Sequence, residues 1–365
     1  MIKQTTIDEL RDRMDVHEVI GSLIEVKRDK ACCPFHDERT PSFHLSKAKQ
    51  IFKCFGCGAG GDAIGFVMKF KHMNFFEAVK WLCEYYNILI EEDQAAAQES
   101  QDKKDAKSEM LQLLSWSHKK YEEMLHSLPA EASAIRYMAS RGYTLERMRS
   151  WSMGYAPAEW KFLTTPLINM GKSGAATDVG LISFSNGQGF DFFRNRIIIP
   201  IHDHNGVLIG FGGRWVPTGN PEEDKGAAKY FNPKESLVYV KSKVWYGLNL
   251  AQKAIRQEGY AYIVEGYMDV QAMHDAEINN TVASCGTEID DQQVKLLKRY
   301  TEHVVICYDG DGPGVKKMSK QIDLFLRHNF KVQVAPMFGG KDPDEFIRDI
   351  ELTNAELVTE GAFCE

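Results

Sequence analysis

The sequence predicts a multidomain α+β protein of three modules. They are a small N-terminal ribbon, a mixed α/β middle with local positive charge, and a C-terminal parallel α/β sheet. Three observations carry this. Two residue pairs of metal-ligand type, Cys33/His36 and Cys54/Cys57, lie close together near the N-terminus. Residues 197–214, IIIPIHDHNGVLIGFGGR, hold two β-rich runs around an Asn-Gly turn signal, the pattern of a hairpin. From residue 259 onward β-rich runs alternate with helical patterns, which argues for a parallel sheet. A length of 365 residues, at about 150 per domain, agrees with two or three domains.

The elements follow in order. Residues 7–23 read as a helix through Ile7, Leu10, Met14, Val19, Ile20 and Leu23. Residues 75–86 read as another through Phe75, Phe76, Val79, Leu82 and Cys83. The stretch 94–108, QAAAQESQDKKDAKS, has no bulky apolar residue and reads as a solvated linker or a polar helix. Helical pattern resumes at 109–126 and 131–150. After the hairpin, YAYIV, TVAS, VVICY and KVQVAPM read as strands, followed by helices at 267–276, 290–300, 314–328 and 343–350. The expected division is a ribbon domain at 1–92, a linker at 93–108, a basic subdomain at 109–257 and a sheet module at 258–350. Residues 351–365 read as a cut-short C-terminal end.

Composition excludes several classes. Apolar residues are 44% and charged residues 26%, near the globular average, so wholesale disorder is excluded. No window holds the ~18 uninterrupted apolar residues of a membrane span. MIKQTTIDELRDRMD has no apolar core behind a basic start, so it is not a secretory signal. Eight cysteines are too sparse for a disulfide scaffold and more in keeping with metal binding in the cytoplasm. Residues 258–365 carry 10 Lys+Arg against 20 Asp+Glu, whereas 27–53 carry seven against three and 191–256 ten against six. Basic patches beside an acidic module suit a protein that holds an anionic polymer and collects divalent cations; ordinary surface variation fits the charges equally well.

Cys33 and His36 are separated by two residues, as are Cys54 and Cys57, with seventeen between the pairs. Three Cys and one His make a closed tetrahedral set for one structural Zn²⁺. Gly56 and Gly58 flank the second pair, where the chain turns tightly. Cys32 competes with Cys33 for the site, but only Cys33 keeps the two-residue spacing. Arg39, Lys47, Lys49 and Lys53 lie around this knuckle with Phe35, Phe43, Phe52 and Phe55 interleaved. Cations for phosphates and rings for bases suit a single-strand binding face, although in a ribbon this small some rings must form the core.

Three acidic turns each follow a β run. They are Asp309 and Asp311 after VVICY, Glu265 with Asp269 one helical turn on, and Asp342 with Asp344 after the last strand. Ligands bind at the carboxyl edge of parallel strands. Hard oxygen donors there suit magnesium or manganese, which clamp phosphates in phosphoryl transfer.

CPFHDERTPSF and KCFGCGAGGDAIGFVM resemble the zinc-binding domain of bacterial replicative, DnaG-type primases. FFRNRIIIPIHDHNGVLIGFGGR, KYFNPKES and YGL resemble the first part of their RNA polymerase domain. YIVEGYMDV, CGT, CYDGDGPG and GGKDPDEF resemble their Toprim module. The matches keep the family's order over about residues 7–350. The resemblance implies a DNA primase that synthesises short RNA primers on single-stranded DNA from ribonucleoside triphosphates. It implies a zinc ribbon, a basic subdomain and a Toprim sheet carrying two or more Mg²⁺ or Mn²⁺. Glu265, Asp309 and Asp311 would be the catalytic, metal-binding acids, with Asp269, Asp342 and Asp344 in support. Arg141 in YMASRGY, Arg194 and Arg196 in FFRNR, Arg214 in FGGR, Lys229 in KYFN, and Lys241 would face template, nucleotide or nascent RNA. For any one of these cations a solvated or salt-bridged place is equally open, and Glu265 could serve as ligand or as base. A replicative helicase is the family's expected partner, but its docking domain, like the helical end of the polymerase core, has no counterpart within residues 351–365. The chain is expected to be a monomer that binds no membrane. Two other classes stay open: a Toprim nuclease or topoisomerase relative, and a non-catalytic single-stranded-DNA-binding remnant.

Overall fold

The computed structural model describes residues 2–92, 94–284, 288–308, 312–335 and 342–349. The chain forms two compact units, Met1–Lys104 and Asp105–Glu365.

The first unit begins with α1 (Gln4–Arg13) and α2 (Val16–Gly21), where one helix was expected over 7–23. The break has a local cause. Asp15 Oδ1 accepts hydrogen bonds from the His17 and Glu18 N–H groups at 2.8 and 3.2 Å, so it caps a new helix. A four-stranded antiparallel sheet follows: β1 (Lys30–Ala31), β2 (Phe43–Ser46), β3 (Ile51–Cys54) and β4 (Gly60–Gly61), in sequence order. Strand alternation turns Phe43, Leu45, Phe52 and Cys54 inward and Ile51 and Lys53 outward. The inward rings pack on α3 (Ala63–Phe70), which Asp62 caps, and on α4 (Phe75–Tyr85), which an Asn74–Glu77 capping box starts. Phe43 and Phe52 are fully buried and stacked at 5.0 Å, and Phe35 packs against both. Three of the four rings read as candidates for base stacking therefore hold the core, and only Phe55 is exposed.

A long helix, α5 (Gln94–Ser127), occupies the stretch that was expected to hold the linker. In the second unit it buries Met110, Leu113, Leu114, Tyr121 and Leu125, a helical stripe. The helix expected over 131–150 is two, α6 (Ser133–Ser140) and α7 (Leu145–Ser150). Gly142 lies between them at φ +76°, a left-handed position that ends the first, and Thr144 caps the second. Then come β5 (Gly154–Ala156), α8 (Thr164–Asn169), α9 (Ser173–Asp178), the ribbon β6 (Ile182–Ser185) and β7 (Gln188–Asp191), β8 (Arg196–His202), β9 (Leu208–Trp215), α10 (Pro221–Gly226) and β10 (Tyr230–Phe231). The antiparallel sheet order is β10-β9-β8-β5. The β8–β9 hairpin stands where Asn205-Gly206 placed it, and Asp203 Oδ1 fastens its turn by accepting from the Asn205 and Val207 N–H groups.

After a 3₁₀ turn at Lys241–Lys243, the chain forms α11 (Leu248–Glu258), β11 (Ala261–Val264), α12 (Tyr267–Asp275), β12 (Thr281–Ala283), α13 (Asp291–Leu297), β13 (His303–Ile306), α14 (Gly312–Arg327), β14 (Lys331–Val334) and a helix over 343–349, α15. This sheet is all parallel in the order β12-β11-β13-β14, as the alternation predicted. Tyr246 pairs with Ala283 and covers the β12 edge. Its buried strands Ala261, Ile263, Val304 and Ile306 pack against α11, α13 and α14. Among the described residues no helix is long and apolar enough to cross a membrane.

Candidate functional site

In the first unit, Cys33 follows β1, His36 lies in the next turn, Cys54 ends β3 and Cys57 lies in the turn toward β4. Their ligand atoms all fall within 4.8 Å of one another. Cys33 Sγ is 3.8 Å from Cys57 Sγ, and Cys54 Sγ is 4.0 Å from His36 Nδ1. A tetrahedron with metal–sulfur bonds of about 2.3 Å has edges of about 3.8 Å, so this donor set fits a zinc ion. Cys32 is exposed and outside the cluster. Burial pushes the Cys33 thiol up to about 12. At Cys54 burial is outweighed by the Ser42 hydroxyl, 3.2 Å away, and by the Cys57 and Gly56 N–H groups, which bring it down to about 6.

Glu38 organises the surroundings. Its Oε2 lies 3.2 Å from His36 Nε2, and its Oε1 accepts from the Cys33 and Ser42 N–H groups at 2.6 and 3.1 Å. The Ser42 hydroxyl also donates to Glu38, the main reason its carboxyl falls to about 2. A carboxylate on the outer imidazole nitrogen turns Nδ1 toward the sulfurs. Gly56 is required by space: a Cβ there would stand 2.7 Å from His36 Nε2. The outward face of the ribbon sets Lys30, His44 and Lys53 in one cross-strand row, with Phe55 edge-on to His44 at 5.1 Å.

In the second unit a cavity of about 440 Å³ lies at the carboxyl end of β11. Glu265, Asp269, Asp342 and Asp344 line it together with Arg141, Arg214, Lys229 and Lys317. Glu265 leaves β11, and Asp269 sits one turn into α12, where Oδ2 accepts from the Gly266 N–H at 2.8 Å. Asp342 caps α15 through the Glu345 N–H at 2.7 Å. Asp344 is 1% exposed, and its Oδ2 takes Arg141 at 2.7 Å and Arg348 at 3.4 Å. Glu265 Oε1 and Asp344 Oδ1 are buried without a hydrogen-bond partner among the described residues. Four carboxylates lining one cavity are hard donors, so the residues fit a divalent cation such as magnesium or manganese.

Two of the cations in the lining are held apart from the acids. Arg214 is buried, with Nε 2.6 Å from the Tyr137 hydroxyl and Nη1 on the Tyr230 hydroxyl. Lys229 is exposed, and among the described residues its ammonium makes no ion pair. The expected residues Arg141, Arg214, Lys229, Glu265, Asp269, Asp342 and Asp344 thus meet in one place. Asp309 and Asp311 lie outside the described residues.

Arg194 and Arg196 do not join them. They line a second cavity of about 590 Å³ with Trp160, Trp215, Phe192 and Phe231. Arg194 Cζ lies 4.0 Å over the exposed Trp160 ring. Arg196 is 2% exposed, and burial brings it down to about 10. Its Nη1 donates to Gly213 O and Ala228 O, both at 2.9 Å. It therefore braces the chain next to Arg214 and Lys229. Lys241 lines neither cavity and starts the 3₁₀ turn, its N–H on Glu235 at 2.9 Å.

Sequence reasoning missed Lys317, Tyr137, Tyr230 and Trp160. Lys317 had a faint signal, a Lys-Lys pair one turn after the second acidic cluster; the aromatic residues had none. Gly212 and Gly213 acquire a reason too. A Cβ on Gly212 would meet the Tyr267 ring at 3.0 Å, and one on Gly213 would meet Phe193 at 2.5 Å.

Comparison with known proteins gives the same three parts. Residues 2–98 match the CHC2 zinc finger, 120–252 the N-terminal domain of the DNA primase catalytic core, and 262–347 the Toprim-like family. The DNA primase of Clostridium acetobutylicum is 37% identical over 95% of this chain and 57% of its own length. That of Halalkalibacterium halodurans is 36% identical over 95% and 57%. The chain thus spans little more than half the length of these relatives. The crystal structure of the zinc-binding and RNA polymerase domains of Aquifex aeolicus primase matches 96% of this chain and 84% of its own, with TM-score 0.60 and 35% identity. A DnaG catalytic domain bound to single-stranded DNA matches 70% and 80%, with TM-score 0.60 and 30% identity. On these three matches and on 35% identity to a primase structure that it covers to 84%, the chain belongs to the family of DnaG-type bacterial DNA primases.

Proposed function

We propose that this chain is a DNA-templated RNA polymerase that makes short RNA primers on single-stranded DNA. The reading rests above all on one cavity lined by Glu265, Asp269, Asp342 and Asp344 together with Arg214 and Lys229. A reacting triphosphate needs divalent metal on one side and fixed cations on the other. Two or more Mg²⁺ or Mn²⁺ bound here would neutralise the triphosphate and favour attack of a primer 3′-hydroxyl on the α-phosphate, with the α–β bond breaking and pyrophosphate leaving. Glu265 and Asp269 would hold them, joined by Asp309 and Asp311 and supported by Asp342 and Asp344. Glu265 also stands where a base could take the hydroxyl proton.

The fixed cations divide the remaining work. Lys229, exposed on the cavity wall, reaches for phosphate oxygens. Arg214 presents a guanidinium already oriented by two tyrosine hydroxyls, so little freedom is lost on binding. Arg141 acts mainly through Asp344. Trp160 and Arg194 offer a stacking ring and a cation to the single strand, as Phe55, His44 and Lys53 do on the ribbon. One zinc holds the ribbon together. We divide the chain into the ribbon at 1–92, the basic subdomain at 109–257 and the Toprim sheet at 258–350.

The test is synthesis on single-stranded template with labelled ribonucleotides and Mg²⁺ or Mn²⁺. Short RNA products are expected, abolished in Glu265→Gln while oligonucleotide binding persists. Synthesis at a wild-type rate in that variant would end the assignment of this cavity. Cleavage of DNA without ribonucleotides would favour a Toprim nuclease instead.

A further inference from the structure

One cation lining the acidic cavity is paired directly with Glu265. Lys317 projects from α14, and its Nζ lies 2.7 Å from Glu265 Oε2. The ammonium also stands 5.2 Å over the Tyr308 ring. The Lys317 and Glu265 side chains are only 25% and 24% exposed, so solvent screens the pair in part. The other Glu265 oxygen, Oε1, is buried with no hydrogen-bond partner among the described residues. One carboxylate oxygen is held by lysine and the other is bare. Lys317 also lines a neighbouring cavity of about 930 Å³, whose wall includes Glu288, Asp290, Asp291 and Asp323. The ammonium therefore has open space beside it when it leaves Glu265, although Glu288 and Asp291 there already hold Lys320 and His328.

We propose that Lys317 is a built-in counter-cation of Glu265 that competes with the divalent metal, so that it must leave Glu265 for metal to bind. This rests on the reading of the cavity as a divalent-metal site. A carboxylate in a partly dry cavity needs compensation, and among neighbouring carboxylates it needs more. Lys317 supplies it in the metal-free protein and keeps Glu265 aimed into the cavity. An ammonium and a divalent cation repel each other when they share one carboxylate. Breaking the charge-assisted hydrogen bond opposes metal binding, so the lysine sets the affinity lower than the acids alone would give. Lys317 is a positioning residue that acts through Glu265.

The experiment is Mn²⁺ titration of the zinc-loaded full chain, followed by electron paramagnetic resonance, without template or nucleotide. Lys317→Met keeps the aliphatic stem over Tyr308, and Lys317→Ala removes it; circular dichroism checks that each is folded. Both should bind Mn²⁺ about three- to tenfold more tightly than wild type, and Lys317→Arg should stay near wild type. Glu265→Gln should bind more weakly, and adding Lys317→Met to it should bring no tightening. Unchanged or weaker binding in Lys317→Met, with Glu265→Gln weakened as expected, overturns the proposal alone. Equal binding by Glu265→Gln and wild type overturns the metal reading of the cavity and this proposal with it.

Discussion

Arg141 and Asp344, 203 residues apart in sequence, meet at 2.7 Å with the carboxylate 1% exposed. The pair ties the end of α6 to α15, which carries the third acidic cluster. Removing Arg141 leaves Asp344 buried with Arg348, at 3.4 Å, as its remaining cation among the described residues. Losing one partner of a buried pair costs about 3–5 kcal/mol, and the residual Arg348 contact reduces this to about 2–4. Arg141→Ala should lower the stability of the second unit by that much in calorimetry, and Asp344→Asn in the same background should recover part of it. A stability change below about 0.5 kcal/mol would leave Arg141 as a surface cation after all.

The cysteine–histidine cluster predicts two effects of different kind. Cys57→Ser should lose zinc outright, and chelator should unfold the first unit while the second keeps its transition. Gly56→Ala removes no ligand but pushes a methyl to 2.7 Å from His36 Nε2, the atom that contacts Glu38, and to 3.0 Å from Ser42 Oγ. Disturbing that outer contact should weaken zinc binding about 10- to 100-fold, measured by competition with a chromogenic chelator. Glu38→Gln should fall in the same range. Full zinc retention by Cys57→Ser would put another residue, Cys32 first, in the ligand set.

What was legible in the sequence is what is local. The clustering of Cys33, His36, Cys54 and Cys57 shows through spacing, the β8–β9 hairpin through Asn205-Gly206, and the parallel sheet through its alternation. The helix breaks at Asp15 and Gly142 were missed because apolar periodicity runs through both. The capping residues were nevertheless there to read, Asp15 three residues before Glu18 and Thr144 just after Gly142. Which rings of the ribbon face inward depends on strand register, and the Phe43–Cys54 pairing settles it for Phe43 and Phe52 only once the hairpin is built. The Arg141–Asp344 pair, the Lys317–Glu265 pair and the sorting of Arg194 and Arg196 into another cavity depend on tertiary contacts that no spacing announces.

The glycines of FGGR are expected to differ in tolerance. Tyr267 OH donates to Asn232 at 2.8 Å, and its ring packs edge-on to Tyr246 at 4.9 Å, so it has little room to retreat from a methyl on Gly212. The Gly213 position is tighter, at 2.5 Å from Phe193. Overpacking typically costs about 1–3 kcal/mol. Gly212→Ala should fall within that range and Gly213→Ala at its top or above it, by urea unfolding. The reverse order would mean that the strand shifts rather than the rings.

Acid should weaken the second unit through buried histidines. Burial lowers His274 and His202, and His118 nearby lowers His202 further; at His274 the hydrogen bond to Thr281 O and the charge of Asp275 pull the other way. A histidine with a depressed folded value binds its proton more readily when unfolded. Its contribution is therefore present above about pH 6.5 and lost as pH falls below it, at up to about 1.4 kcal/mol per pH unit for each group. Asp191, raised by burial, has the opposite sign and acts only at the acid end, above its unfolded value near 3.8. Stability should fall between pH 6.5 and 5.5, and His274→Gln should flatten that slope. An unchanged slope would place the loss elsewhere.

The separation of the two cavities makes template binding and metal binding independently breakable. Trp160 is 61% exposed with Arg194 stacked on it, while the carboxylates line a different cavity. Stacking of a base on an aromatic ring is worth about 1–3 kcal/mol. Trp160→Ala should weaken binding of a labelled single-stranded oligonucleotide by that amount and leave Mn²⁺ titration unchanged. Arg194→Ala should lower the salt dependence of binding by about one phosphate contact. Arg196→Ala differs, because its guanidinium is committed to Gly213 O and Ala228 O. That variant should lose stability, leaving the buried Gly213 carbonyl and the part-buried Ala228 carbonyl without this donor, and its binding defect should track the unfolded fraction. If Trp160→Ala bound the oligonucleotide as wild type does, the strand would have to run elsewhere, and the exposed row on the ribbon would become its main support.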